Sequence, residues 1–328
     1  MVTTMTIKVL TYKSLQPGPS LLLLGAVHGN EKCGTRALDS LVTLLNDGTL
    51  KLAKGSLTII PICNPKAYAQ DVRFVERNLN RRLYPKPEPK DYEDFLDPLL
   101  CPHLGEADYL LDLHSYASPG GPFAFLGGKD AEETEFARAL GAKFYVFGWQ
   151  NAYQNVKKQP AEEKPDQHLE SMGTTEYARD KGAKAITLEC GHHYNADAPR
   201  VGLIAALRAM TTLGLLETAD LPEEIAGFSP EDEAPISVKT LLSEAVNTSE
   251  QVCIQMCQVY YKTLPGTFEK PWQHLDPVKK GDTLATFEDG STLTADRDGY
   301  VILPKESSAV GGEWFYLGEP SGFPPESE

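Results

Sequence analysis

An apolar run from Leu21 to Val27 breaks at His28-Gly29-Asn30, and beyond Glu31 the apolar positions change period. Ala37, Leu38, Leu41, Leu44 and Leu45 fall on one helical stripe, so the pattern predicts a buried strand followed by an amphipathic helix over 31–46. His28 and Glu31 stand in the turn between them. Upstream, residues 4–12 alternate like a strand, and Pro17-Gly18-Pro19 turns the chain, which predicts a hairpin of the first two strands. An apolar, β-branched strand at 57–62 runs into Cys63-Asn64-Pro65, and this strand–helix–strand order opens an α/β sheet. Further on, residues 91–106 and 130–141 read as helices, and 108–113, 123–126 and 143–147 as strands. A short helix at 174–181 precedes a strand at 185–188 that leads to Glu189-Cys190-Gly191. A helix over 199–216, with Val201, Ile204, Leu207 and Leu213 on one face, closes the unit.

Three stretches escape this periodicity. Residues 71–89 are polar, carry Arg73, Arg77, Arg81 and Arg82, and end in PKPEP; a loop of that length needs a functional reason. Residues 155–167 mix Lys, Glu and Pro and read as an exposed loop or a lid. The acidic, Pro-rich segment 218–235 has the composition of a solvated linker. The expected organisation is a catalytic domain at 1–220 and a β-rich domain at 221–328 that caps the active site. The fold class is therefore α/β, a mixed sheet flanked by helices with a smaller carboxyl-terminal all-β domain. The stretch VKKGDTLATFEDGSTLTADRDGYVILP is similar to half of a biotinyl- or lipoyl-type sandwich, but no lysine stands between Asp289 and Tyr300 to be modified, so a carrier role is not supported. The final GFPPESE reads as a frayed tail.

Composition narrows the function classes. A net charge of −15 over 328 residues disfavours nucleic acid and anionic membrane surfaces as partners and makes the local arginines of 73–82 a feature that would draw an anionic substrate. Six scattered cysteines, Cys33, Cys63, Cys101, Cys190, Cys253 and Cys257, form no Cys-x-x-Cys pair and read as reduced thiols. With no leader pattern and no apolar segment of spanning length, the expected location is cytoplasmic. A homo-oligomer is compatible with the sequence.

His28, His114 and Glu189 each follow an apolar strand, and ligands of open α/β sheets bind at the carboxyl ends of strands. His28 and Glu31, three apart across a turn kept narrow by Gly29, can converge on one ion, and His114 supplies a second imidazole. Two imidazoles and one carboxylate form the ligand set of an open catalytic zinc site, whose fourth position takes a water with its pKa lowered to about 7. Glu189 is the expected general base, taking the proton of that water and returning it to the leaving nitrogen. Arg73 is placed to stabilise the oxyanion, and Asn80 with Arg81 to grip a substrate carboxylate. The ordinary reading of each residue alone is a loop His, a surface carboxylate or a solvated basic loop; the shared strand-end placement favours the site. Glu189-x-x-His192-His193 and Cys101-x-His103 are weaker metal clusters without strand-end partners. Cys253 and Cys257 read as apolar fillers of a strand.

His28-Gly29-Asn30-Glu31, Arg73 with Asn80-Arg81, Asp112-Leu113-His114 and Glu189 together resemble the succinylglutamate desuccinylase and aspartoacylase family, relatives of zinc carboxypeptidases, over residues 20–215. The resemblance implies a hydrolase with one zinc ion per chain that cleaves the amide of a small anionic N-acyl amino acid. It implies that Arg73 polarises the scissile carbonyl, that Asn80 and Arg81 bind the terminal carboxylate, and that Glu189 is the base. It also implies a further substrate-binding arginine at Arg179 and a tyrosine reaching in from the β domain, for which Tyr300 is the expectation. One departure is Asn78, where relatives often carry Asp. The acyl group stays open, and two alternatives stand beside the amidohydrolase: a zinc carboxypeptidase acting on peptides, and a non-catalytic zinc-dependent sensor.

Overall fold

The structure, a computed structural model, describes residues 5–128, 130–149, 152, 169, 171–225, 236–238, 242 and 250–323. Strands β1 (Leu10–Lys13), β2 (Ser20–Gly25), β3 (Ser56–Ile60), β4 (Tyr109–Tyr116), β5 (Phe123–Phe125), β6 (Phe144–Phe147) and β7 (Lys184–His192) share one mixed sheet in the order β1-β3-β2-β4-β7-β5-β6. β3, β2, β4 and β7 run parallel, Leu24 standing beside Asp112, and His114 beside Glu189. This register brings the carboxyl ends of β2, β4 and β7 to one rim.

Alternate side chains of these strands serve opposite faces. Leu21, Leu23, Leu111, Leu113, Ile186 and Leu188 pack beneath helices α1 (Lys32–Asn46), α4 (Ala131–Ala139) and α6 (Ala198–Thr212). On the other face Leu22, Leu24, Leu110 and Ala185 meet α3 (Asp97–Glu106) and α5 (Thr174–Asp180). Each fully buried leucine contributes about 2 kcal/mol of transfer free energy, and both faces are covered as a parallel sheet requires. The short helix α2 (Pro65–Gln70) starts where β3 ends, with Asn64 as its cap.

The expected hairpin of the first two strands does not form. β1 pairs antiparallel with β3, because both edges of β2 are taken by parallel neighbours. The helix expected at 91–106 divides into a 3-10 turn, Tyr92–Phe95, and α3, whose first turn holds Pro98. The strand expected at 185–188 extends to His192, so Glu189 lies within it.

A two-stranded ladder joins β8 (Glu224–Ile225) to β9 (Ile236–Ser237). β10 (Val252–Tyr261) then pairs in parallel with β6, so the main sheet continues into the carboxyl-terminal strands. These are β11 (Gly266–Phe268), β12 (Pro277–Val278), β13 (Thr283–Phe287), β14 (Thr292–Thr294), β15 (Gly299–Ile302) and β16 (Glu313–Ser321). Trp272, Leu284, Trp314 and Phe315 form their core. The insert expected at 155–167, residues 226–235 of the linker and residues 324–328 of the tail lie outside the described residues. Among the described residues no helix is long and apolar enough to cross a membrane.

Candidate metal centre and catalytic site

β2 ends at Gly25, and Ala26 follows in the left-handed region at φ 46°, a costly conformation for a residue with a Cβ. The turn reaches Glu31, the N-cap position of α1, yet the Glu31 side chain makes no cap bond. It turns to the site. Its Oε1 lies 2.9 Å from His28 Nδ1 and 2.8 Å from an Arg73 Nη1 that donates to it. Its Oε2 lies 2.8 Å from His114 Nδ1 and accepts the Ser115 N–H at 3.1 Å. Gly29 permits this turn: a Cβ there would fall 2.1 Å from the Ala67 carbonyl carbon of α2.

The two imidazoles are braced from behind. His28 Nε2 lies 3.0 Å from Asn78 Oδ1, and His114 Nε2 lies 2.9 Å from Asp112 Oδ2. Asp112 in turn accepts the Thr174 hydroxyl. His28, Glu31 and His114 are all buried, and one ligand atom from each lies within 4.8 Å of the others. Their Nδ1 atoms and the carboxylate face one another while the Nε2 atoms are fixed by amide and carboxylate oxygens, the arrangement that orients histidine ligands. The donor set fits a zinc ion.

Charge balance in this pocket is uneven. Burial, helped by the Arg73 guanidinium, pushes the His28 pKa down to about 4, leaving a neutral ring with a lone pair to offer. Burial also opposes charge on His114, but Asp112 and Glu31 on either side hold its pKa well above the ordinary value. Glu31 is buried too, and His28 and His114 keep it ionised, well below the usual carboxylate range. Glu189 is pushed up to about 8, first by burial and then by Glu31. Its Oε2 has no hydrogen-bond partner among the described residues.

The 71–89 loop is fixed by a buried acidic anchor. Glu93, fully buried, accepts the backbone N–H groups of Val75, Glu76 and Arg77 at 2.7, 3.2 and 2.9 Å, and the Asn64 amide at 3.1 Å. Arg77 turns away from the mouth and pairs with Asp94 at 2.8 Å and with both oxygens of Asp97 at 2.8 and 2.9 Å. The expectation that Arg77 helps to draw an anionic substrate is corrected: its charge is buried and neutralised. Arg73 remains half-exposed. Asn80 Oδ1 accepts the Thr174 N–H at 2.8 Å, and the Arg81 guanidinium lies 4.7 Å over the Trp149 ring.

Arg179 and Tyr300, the other two expected substrate contacts, have the following partners. Arg179 donates to Glu133 at 2.7 Å and to the Ala185 carbonyl. Ala185 lies four residues below Glu189 on β7, about 13 Å down the strand from the rim. The Arg179 Nη1 also lies 3.4 Å from Glu176 Oε1, which accepts the Trp149 indole N–H at 3.3 Å. Tyr300 pairs with Pro277 and Gly318 and packs in a seam with Tyr116, Phe123 and Ile254. The sequence offered no sign of Tyr261, half-buried on β10, whose phenol is raised by burial and Glu313 and lowered by Arg81. Among the described residues only His28, Glu31 and His114 bring three metal-ligating atoms this close together; the Cys101–His103 and Glu189–His193 groups do not.

Fold and site together define an α/β protein with a buried His–Glu–His group at the carboxyl ends of parallel strands. The model of the succinylglutamate desuccinylase/aspartoacylase catalytic domain matches residues 17–211, well over half the chain, and the protein belongs to that family. A succinylglutamate desuccinylase/aspartoacylase from Rhodobacter sphaeroides shares the fold at a TM-score of 0.71 and 20% identity, over 96% of this chain and 89% of that one. A succinylglutamate desuccinylase from Silicibacter sp. TM1040 gives 0.67 at 20% identity, over 96% and 89%. The product-bound ectoine utilization protein EutE (DoeB) from Ruegeria pomeroyi gives 0.65 at 21% identity, over 95% and 88%. No curated protein matches the chain.

Proposed function

We propose that the protein is a zinc-dependent amidohydrolase that cleaves the amide bond of a small anionic N-acyl amino acid. The observation that carries this reading is the convergence of His28, Glu31 and His114 beside Glu189, a buried carboxylate with one unpartnered oxygen. His28, Glu31 and His114 would hold one zinc ion, which when bound supplies a Lewis acid and lowers the pKa of the attacking water.

Glu189 takes the proton of that water and delivers it to the leaving nitrogen; its raised pKa suits a group that must both accept and donate near neutrality. Arg73 is held by Glu31 through one nitrogen and is half-exposed, so it can point further N–H groups at the scissile carbonyl and its oxyanion. Asn80 and Arg81 bind the amino-acid carboxylate. Thr174 and Trp149 hold those two side chains in place. Tyr300 and Tyr261 are the tyrosines that the carboxyl-terminal strands can offer to the substrate.

The test is metal content measured together with turnover of acetyl- and succinyl-amino acids and of peptides. Zinc near one equivalent with cleavage of N-acyl amino acids is the expected result. Turnover of peptides alone would make the protein a carboxypeptidase. Ligand binding without cleavage would make it a sensor.

A further inference from the structure

The strand parity that separates the two faces of the sheet also divides the mouth of the site. Asp112 and His114 project to the α3 and α5 side, where Asp112 meets Thr174 and Thr174 meets Asn80. Ser115 has the opposite parity, shared with Leu111 and Leu113 on the α1 and α6 side. There its hydroxyl lies 2.8 Å from Nδ1 of His193, just past the end of β7, while the Ser115 N–H donates to Glu31. The His193 backbone N–H donates to the Tyr116 carbonyl at 2.9 Å. His193 is thus clamped at its backbone and at one ring nitrogen, half-buried, with Nε2 making no hydrogen bond among the described residues. Burial lowers its pKa, and the charges of Glu31, Arg73, His192 and His114 all act on it, which places the ring at the same mouth.

A substrate whose carboxylate is held at Asn80 and Arg81 must cross the His28–Glu31–His114 group with its acyl end directed toward the other side. We infer that His193, oriented by Ser115, is a specificity-determining residue that hydrogen-bonds through Nε2 to an acceptor at the far end of the acyl group, and that the favoured acyl groups carry an ω-carboxylate. The inference deepens the proposed amidohydrolase reading and rests on it. With the Ser115 hydroxyl donating to Nδ1, the neutral imidazole carries its proton on Nε2 and presents Nε2–H as a donor. A site built to donate to such an acceptor discriminates against acyl groups that lack it, because the donor is then left unpaired.

The experiment compares kcat/KM for succinyl- and acetyl-derivatives of one amino acid in the zinc-loaded wild type, His193→Ala, His193→Gln and Ser115→Ala, with metal content and melting temperature measured on each. The expected result is a succinyl-to-acetyl ratio about tenfold lower in His193→Ala and partly recovered in His193→Gln, whose amide can also donate. Ser115→Ala, which keeps the imidazole and frees it to turn, lowers the ratio in the same direction and serves if His193→Ala does not fold. A fall of less than threefold in both alanine variants, a rise, or a wild type that cleaves only the acetyl compound overturns the inference while leaving the hydrolase intact. If the wild type cleaves only the succinyl compound, a threefold or larger rise in its KM in the variants supports the inference, and a smaller one overturns it. A wild type that cleaves neither overturns the proposed function and this inference with it.

Discussion

The amide oxygen of Asn78 lies 3.0 Å from Nε2 of His28, the counterpart of the 2.9 Å approach of Asp112 to Nε2 of His114. One imidazole is braced by a neutral amide and the other by a carboxylate. Both braces fix which nitrogen faces Glu31. An amide oxygen accepts the Nε2 proton as a carboxylate does, but it adds no negative charge behind the ring. Asn78→Ala is therefore expected to weaken zinc binding by roughly tenfold, and Asn78→Asp to restore or exceed wild-type affinity. Competition against a chelator of known affinity reads both. Unchanged affinity in Asn78→Ala would show that His28 needs no brace.

Glu189 stands beside the proposed ligands without being one of them. Glu189→Gln keeps the shape and removes the base, so zinc content should stay at the wild-type level while kcat falls by about a hundredfold or more. Should zinc content fall in step with activity, Glu189 would be a ligand and the division of roles would be wrong.

Arg81→Ala should raise KM for carboxylate substrates by more than it lowers kcat, because the grip acts on a group remote from the scissile bond. Steady-state kinetics on wild type and variant read both constants, and an unchanged KM would refute the grip.

Much of this site was legible in the chain. The runs ending near His28, His114 and Glu189 announce their strands by apolarity alone, and parallel pairing then delivers their ends to one rim. The fold class followed from the same strand–helix alternation. What could not be read is what depends on long-range partners. Arg77 and Arg81 look alike in sequence, and only the distant Asp94 and Asp97 decide that the first is buried in an ion pair while the second lies over the Trp149 ring. The partners of Arg179, Glu133 and the Ala185 carbonyl, are likewise set by how α5 runs alongside β7. The pairing of β1 with β3 was hidden because a Pro-Gly-Pro turn carries no record of which edge is already occupied.

Gly29→Ala should be among the most damaging small substitutions. The added methyl would lie 2.1 Å from the Ala67 carbonyl carbon and 2.3 Å from the Tyr68 nitrogen, both backbone atoms of α2 that cannot swing aside. Either α2 or the His28 turn must move. A loss of about 2 kcal/mol in the unfolding free energy of the metal-free protein is expected, with a drop in zinc affinity because His28 is the adjacent residue. A variant as stable as wild type with full affinity would show that the turn has room the structure denies it.

His274 ties acid sensitivity to the seam between the carboxyl-terminal strands and the β4–β5 connection. Its ring is buried against Tyr116 and Phe123, its Nδ1 accepts the Leu303 N–H at 3.0 Å, and its Nε2 has no hydrogen-bond partner among the described residues. Burial pushes its pKa down to about 3. In the unfolded chain the same group titrates near 6.5, so below that pH the unfolded state binds a proton that the folded state refuses. The stabilisation from keeping this ring neutral is complete above about pH 6.5 and is lost as pH falls toward 3, at about 1.4 kcal/mol per unit. Between pH 7 and pH 5 the wild type should therefore lose about 2 kcal/mol more unfolding free energy than His274→Gln, which cannot titrate. Urea unfolding of both proteins at the two pH values measures the difference, and equal losses would mean that His274 protonates in the folded seam without penalty.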